Sequence, residues 1–158
     1  MKFGLHFGVA ICRMNDFSAK PMKHSSKNPS APPWRVLLGC TEEPLLHIVR
    51  HTLEPLGVRV DAATSHQALL GRTRRHRYRL IITRFVAPLI ASPREIGRLR
   101  QGPLHPPLIV MSHTHSRQIV VTLLEGGVSQ FVSLPVSLER LRQKVERELG
   151  SGHSRAEQ

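Results

Sequence analysis

Residues 79–88 read RLIITRFVAP. The run 80–83 is aliphatic or β-branched at every position, with no polar alternation. That pattern predicts a strand buried on both faces. Arg84 stands where the strand should end, and an apolar stretch then leads to Pro88. Strands buried on both faces belong to parallel sheets covered by helices. The stretch therefore sets the fold class, and it raises the question of what an arginine does at the tip of a core strand.

Four similar runs lie elsewhere: RVLLG (35–39), VRVDAA (58–63), LIVMS (108–112) and QFVSL (130–134). Amphipathic stretches of helical length separate them. Over 43–56, Leu45, Ile48, Val49, Leu53 and Leu56 fall near one face. In the last helix Leu138, Leu141, Val145 and Leu149 share a face, with Arg140, Lys144 and Arg147 elsewhere. Ser65 and Ser137 read as N-caps, and Gly57, Gly71 and Gly126–Gly127 as stops or breaks. Five strands alternating with helices predict an α/β fold, a five-stranded parallel sheet, doubly wound, with right-handed crossovers. In such sheets function gathers at the carboxyl ends of the strands. Those ends are Gly39–Glu42, Thr83–Arg84, Ser112–His113 and Leu134.

The length of 158 residues suits one domain with a substantial core. Residues 14–33 are rich in Ser, Pro, Lys and Asn, without an apolar period, and cannot offset the entropy of ordering. The organisation expected is a disordered basic arm over 1–33, a domain over 34–150 and a disordered tail over 151–158. Lys2 followed by FGLHFGVAIC resembles the opening of a signal peptide, but His6 interrupts the run, Arg13 ends it and no clean cleavage site follows. With Met14 and Met22 as alternative starts, an untranslated or disordered leader is the preferred reading over secretion. Cys12 and Cys40 are too few for a disulfide framework and suit a cytoplasmic setting. No apolar run approaches the length of a spanning helix, so no membrane association is expected.

The charge is lopsided, with 23 Lys and Arg against 11 Asp and Glu. Such a balance attracts nucleic acid, anionic membrane or acidic protein surfaces without choosing among them. Only two of the acids are aspartates, Asp16 and Asp61.

From Arg35 to about Leu149 the chain resembles the receiver domain of two-component response regulators. RVLLGCTEE is similar to the family's first strand, which normally ends in an acidic pair. YRLIITRFVAP resembles the third strand, whose tip normally holds the phosphorylated aspartate, with a proline four residues on. PPLIVMSHT matches the fourth strand, ending in Thr or Ser, and LLEGGVSQFVSLPVSLERL the segment from fourth helix to fifth. The resemblance implies a flavodoxin-like receiver fold. It places the acidic pair, which holds magnesium in the family, on Cys40 and Thr41, and the phosphoacceptor on Arg84. The family's hydroxyl falls on Ser112 and the small residue after it on His113. The switch aromatic falls on Phe131, and the phosphate-contacting lysine on Leu134, beside a retained Pro135.

Phosphotransfer to a carboxylate needs that carboxylate and a divalent cation to neutralise developing charge. Cys40 and Thr41 cannot replace two aspartates as hard ligands, and Arg84 repels a cation. Glu42 is the one acid near the site, and Asp61 lies in the second strand. The expectation is a degenerate, phosphorylation-independent pseudo-receiver with no cofactor, no metal and no enzymatic activity. Arg84 is expected to pair with Glu42 through a charge-assisted contact, for which a bidentate fork is one available geometry, in preference to extending to solvent.

Other constellations are weaker. Cys40, Glu42 and His113 form a conceivable zinc set, with His113/His115 and His47/His51 as further pairs, but Arg84 opposes any cation there. The run GRTRRHRYR (71–79) suits phosphate contact with nucleic acid. It also suits a helix C-terminus complementing the dipole, which is the favoured reading. In the fourth helix Ile119, Val120, Val121, Leu123 and Leu124 are too many for one stripe. They indicate either an exposed partner surface or a wide core face. The function expected is a standalone cytoplasmic signalling domain. It would bind a protein partner (a regulator, a kinase or itself) through the face around residues 116–149, with Phe131, Val121 and Leu124 in it. The alternative is a nucleic-acid-associated regulator using the arm and Arg72–Arg79. Neither reading involves a small-molecule substrate.

Overall fold

The structure, a computed structural model, describes residues 34–101, 105–113 and 116–156, with burial assigned through residue 150. The arm expected over 1–33 and the candidate His115 lie outside the described residues. Strands β1 (Arg35–Gly39), β2 (Arg59–Ala63), β3 (Leu80–Arg84), β4 (Leu108–Ser112) and β5 (Gln130–Ser133) form one parallel sheet in the order β2-β1-β3-β4-β5. Helices α1 (Glu43–Leu53), α2 (His66–Arg75), α3 (Pro93–Leu99), α4 (Arg117–Glu125) and α5 (Leu138–Ala156) connect the strands and follow the last. This is the five-stranded, doubly wound, flavodoxin-like arrangement expected from the sequence.

Period-two alternation along the strands divides the core in two. Val36, Leu38, Leu80, Ile82, Ile109 and Met111 pack with Val49 and Leu53 of α1 and Leu141, Val145 and Leu149 of α5. Leu37, Ile81, Leu108 and Val110 face the opposite way, onto Leu69 of α2, Ile96 and Leu99 of α3 and Leu123 of α4. β3 and β4 are buried at all five positions because they lie centrally, flanked on both sides and covered on both faces.

The helix termini follow local chemistry. Ser65 Oγ accepts from Ala68 N at 3.1 Å, the expected N-cap of α2. Arg140 N donates to Ser137 Oγ at 3.3 Å at the start of α5. Ser92 and Glu95 form a capping box on α3.

Four expectations need correction. The helix read over 43–56 is α-helical only to Leu53 and finishes as a 3-10 turn, Glu54–Leu56. Pro55 has no N–H to donate and its ring crowds the carbonyl one turn back. Within it Ile48 is 41% exposed, because the helix turns the Val49–Leu53 ridge to the sheet. Gly71 is neither a stop nor a break: it sits inside α2, held by the Leu69 anchor and the Ser65 cap. The last helix runs through Gly150 to Ala156, so residues 151–156 are helical where a disordered tail was expected. One glycine costs a helix only about 1 kcal/mol, and Leu141, Val145 and Leu149 dock the turns before it.

Candidate functional site

The parallel sheet brings the ends of β1, β3, β4 and β5 to one edge. Gly39 pairs with Thr83, Arg84 with Met111 and Ser112 with Ser133. Backbone bonds continue past the strands: Cys40 N to Ala63 O at 3.0 Å, Phe85 N to Met111 O at 2.9 Å and Leu134 N to Ser112 O at 2.9 Å. Gly39 belongs to this close packing, since a Cβ there would collide with the Thr83 hydroxyl.

Arg84 is 6% exposed. One guanidinium nitrogen, Nη1, meets Oε1 of Glu42 in an ion pair, while Nε is buried without a hydrogen-bond partner. The expected pair therefore exists. Glu42 is the N-cap residue of α1, with extended backbone, yet its side chain does not cap that helix. Its carboxylate, 55% exposed, turns to Arg84 instead. The site thus holds a buried cation whose counter-charge comes from the solvent side.

The other strand-end residues divide by depth. Cys40 is 1% exposed and belongs to the core face that carries Val36 and Leu38. Burial pushes its thiol above the ordinary value, with the nearby Arg84 charge pulling partly the other way. Its Sγ donates to Glu42 O at 3.4 Å. Of the two positions that the resemblance aligns with the acidic pair, Cys40 is buried and Thr41 is exposed. Alternation sends Cys40 into the core, and Thr41 and Glu42 are the positions exposed at the edge. Ser112 is buried at the end of β4, whereas His113 is exposed. Leu134 is buried against the α1–α5 core, and the Leu134–Pro135 peptide is cis.

For a cation, this edge offers a buried thiol, a carboxylate already paired and a guanidinium beside both. Among the described residues no three His, Cys, Asp or Glu side chains converge. The zinc set of Cys40, Glu42 and His113 is not assembled.

At the β5 edge Phe131 is half-buried, packed with Ile119 against the α2–α3–α4 core. Val121 and Leu124 are 43% and 44% exposed, and Leu138 at the start of α5 is also exposed. Of the two readings of α4, Leu123 and Ile119 take the core stripe, while Val121 and Leu124 stay outside it.

Two groupings at the other end of the sheet escaped the sequence reading. Asp61 of β2, 8% exposed, accepts from Arg35 Nη2 at 2.5 Å, Arg35 Nε at 3.1 Å and Tyr78 Oη at 2.9 Å. Arg59 Nε lies 3.4 Å from its other oxygen. Burial alone would raise the Asp61 carboxyl, but these hydrogen bonds and the charges of Arg35 and Arg59 outweigh it and hold the group below its ordinary value. Asp61 is the only aspartate between residues 34 and 150, which was the signal available in the sequence. Nearby, a cavity of about 240 Å³ is lined by part of the basic run together with Leu99, Arg100 and His105.

The comparisons agree with this geometry. The family model of the response regulator receiver domain matches residues 41–146. A receiver domain of an HD domain-containing protein from Pseudomonas fluorescens Pf-5 superposes with a TM-score of 0.73 at 19% identity, over 84% of this chain and 98% of its own. A CheY-like receiver domain protein from Methanospirillum hungatei JF-1 gives 0.72 at 17% identity, over 78% and 99%. An orphan response regulator of H. pylori gives 0.67 at 19% identity, over 75% and 99%. No curated protein matches. With the strand order 2-1-3-4-5 and a family match over most of the described residues, the chain belongs to the response regulator receiver domain family.

Proposed function

We propose that this receiver domain acts in a two-component or related pathway by protein–protein contact, without being phosphorylated and without catalysing a reaction. The observation that carries the reading is Arg84, buried at the tip of β3 and ion-paired with Glu42. A phosphoacceptor must be a nucleophile whose developing charge a hard cation neutralises. A guanidinium is neither, and its charge opposes the metal. The magnesium that the family resemblance implies does not fit these residues. Thr41 and Glu42 are the positions open at the edge, and the only carboxylate of the two is taken up by Arg84. The α4–β5–α5 edge supplies the contact surface, with Val121, Leu124 and Leu138 exposed beside Phe131.

Incubation with acetyl phosphate and magnesium, or with beryllium fluoride and magnesium, is expected to give no adduct by intact-protein mass spectrometry or ¹⁹F NMR. A stable adduct on the folded domain would overturn the reading. Val121→Asp and Leu124→Asp are expected to abolish capture of a saturable protein partner while leaving the fold intact by circular dichroism.

A second reading, association with nucleic acid, is favoured by one specific observation. Arg74, Arg75 and Arg77 line a cavity and pair with no carboxylate among the described residues.

A further inference from the structure

The cationic cavity lies where α2 ends and β3 and β4 begin, away from the strand tips that hold Arg84. Between Asp61 and Glu95 the chain carries seven arginines and no acid. The favoured sequence reading assigned the basic run to the helix dipole. The last turn of α2 closes on its own backbone, with His76 N donating to Arg72 O at 2.9 Å. Arg74, Arg75 and Arg77 are exposed and line the cavity with no acid among its walls.

The opposite wall is built and not merely charged. Arg100 reaches across to donate from Nη1 to Gly127 O at 2.6 Å, and its Nε is buried with no hydrogen-bond partner. His105 Nδ1 donates to Arg100 O at 2.5 Å, tying that residue to the same wall. His76 also lines the cavity, and Arg35 Nη1 lies 2.9 Å from its Nδ1. Leu99 and the buried Tyr78 supply an apolar floor. The cavity therefore presents donors and positive charge, and no anionic group.

We infer that this cavity seats a backbone phosphate of a nucleic acid, with Arg74, Arg75 and Arg77 as the contacts and Arg100 as the fixed wall. The inference rests on the second reading above and adds a location to it. The cations are all guanidinium, the planar fork that matches phosphate oxygens two at a time. A concave site suits a phosphate projecting from a chain. None of the exposed large apolar side chains (Ile48, Val86, Val121, Leu124, Leu138) lines it, so it lacks the apolar contacts a membrane surface would take. Recognition through phosphates alone is sequence-independent and salt-dependent.

The test uses the full chain and fluorescein-labelled mixed-sequence oligonucleotides of about 20 nucleotides, titrated at several salt concentrations. The triple variant Arg74→Gln/Arg75→Gln/Arg77→Gln is expected to bind about tenfold or more weakly, with its salt slope reduced by about 2 to 3. A control of equal charge loss on exposed residues elsewhere, Arg50→Gln/Arg117→Gln/Arg140→Gln, is expected to change affinity less than about threefold. With the unmodified protein, amide shifts on adding oligonucleotide are expected to concentrate at residues 72–78 and 99–101. Equal weakening by the control, or shifts spread over the whole surface, would overturn the location and leave general nucleic-acid association standing. No oligonucleotide binding even at low salt would sink both. Equally tight binding to polyglutamate or phosphatidylserine vesicles, with the same dependence on the three arginines, would overturn the choice of partner.

Discussion

The two ends of the sheet treat arginine in opposite ways. At the carboxyl end Arg84 is buried, and one carboxylate, Glu42, meets it. At the other end Arg35 and Arg59 share Asp61, while Arg74, Arg75 and Arg77 are exposed and unpaired among the described residues. A buried cation must find a counter-charge or lose its hydration uncompensated. An exposed one keeps its water and needs none. The buried Arg84 has its counter-charge, whereas the exposed Arg74, Arg75 and Arg77 pair with no carboxylate among the described residues and are the charges available to a partner.

The largest effect of breaking a pair is expected at Asp61. Asp61→Asn is expected to lower stability by about 3 kcal/mol in urea denaturation, because it removes the acceptor shared by Arg35, Arg59 and Tyr78 in a nearly buried position. The same group sets an acid dependence. Its folded-state value lies below the unfolded one, so its stabilisation is present in full above the unfolded value of about 3.9 and is lost as pH falls through the folded value. Asp61→Asn should flatten that part of the acid profile, and an unchanged profile would show that Asp61 does not carry it. Glu95, held low first by its bond from Ala91 N, adds a slope of the same sign that the substitution leaves in place.

Next comes the Arg84–Glu42 pair, where the two single changes are not equivalent. Glu42→Gln strands a buried guanidinium and should cost about 2 kcal/mol. Arg84→Met keeps most of the stem's packing, removes the charge and leaves Glu42 in water, so it should stay within about 1 kcal/mol of the parent. Equal costs would mean that depth does not govern the pair. The smallest effect belongs to Arg74→Gln/Arg75→Gln/Arg77→Gln, expected to shift stability by less than about 0.5 kcal/mol. A large loss there would make these arginines structural and remove the contrast.

The fold was legible because its signals are local. Two-sided apolar strands, amphipathic spacing and serine caps are each read within about ten residues, and they located all five strands to within one residue at either end. The misreadings came where tertiary anchoring overrode a local preference, as when docked turns carried α5 through Gly150. At the site, Arg84 and Glu42 could be proposed as partners because both lie at strand ends of a parallel sheet. The burial of Cys40 was not legible, because it depends on which face of β1 the helices cover. The Asp61 network and the cationic cavity were not legible, since they join residues from separate elements: Arg35 with Asp61 and Tyr78, and α2 with Arg100 and His105.

A parallel, doubly wound sheet, a cation at the tip of its third strand and an excess of basic residues could all be read from the amino-acid order. These properties follow from residue type and near-neighbour spacing. Which charges meet was settled by packing between distant elements. Burial of Arg84 drew Glu42 away from capping its own helix, while the exposure of Arg74, Arg75 and Arg77 left them facing a cavity without a counter-charge. Whether an ion must be compensated depends on its distance from water, and that distance exists only once the chain has folded.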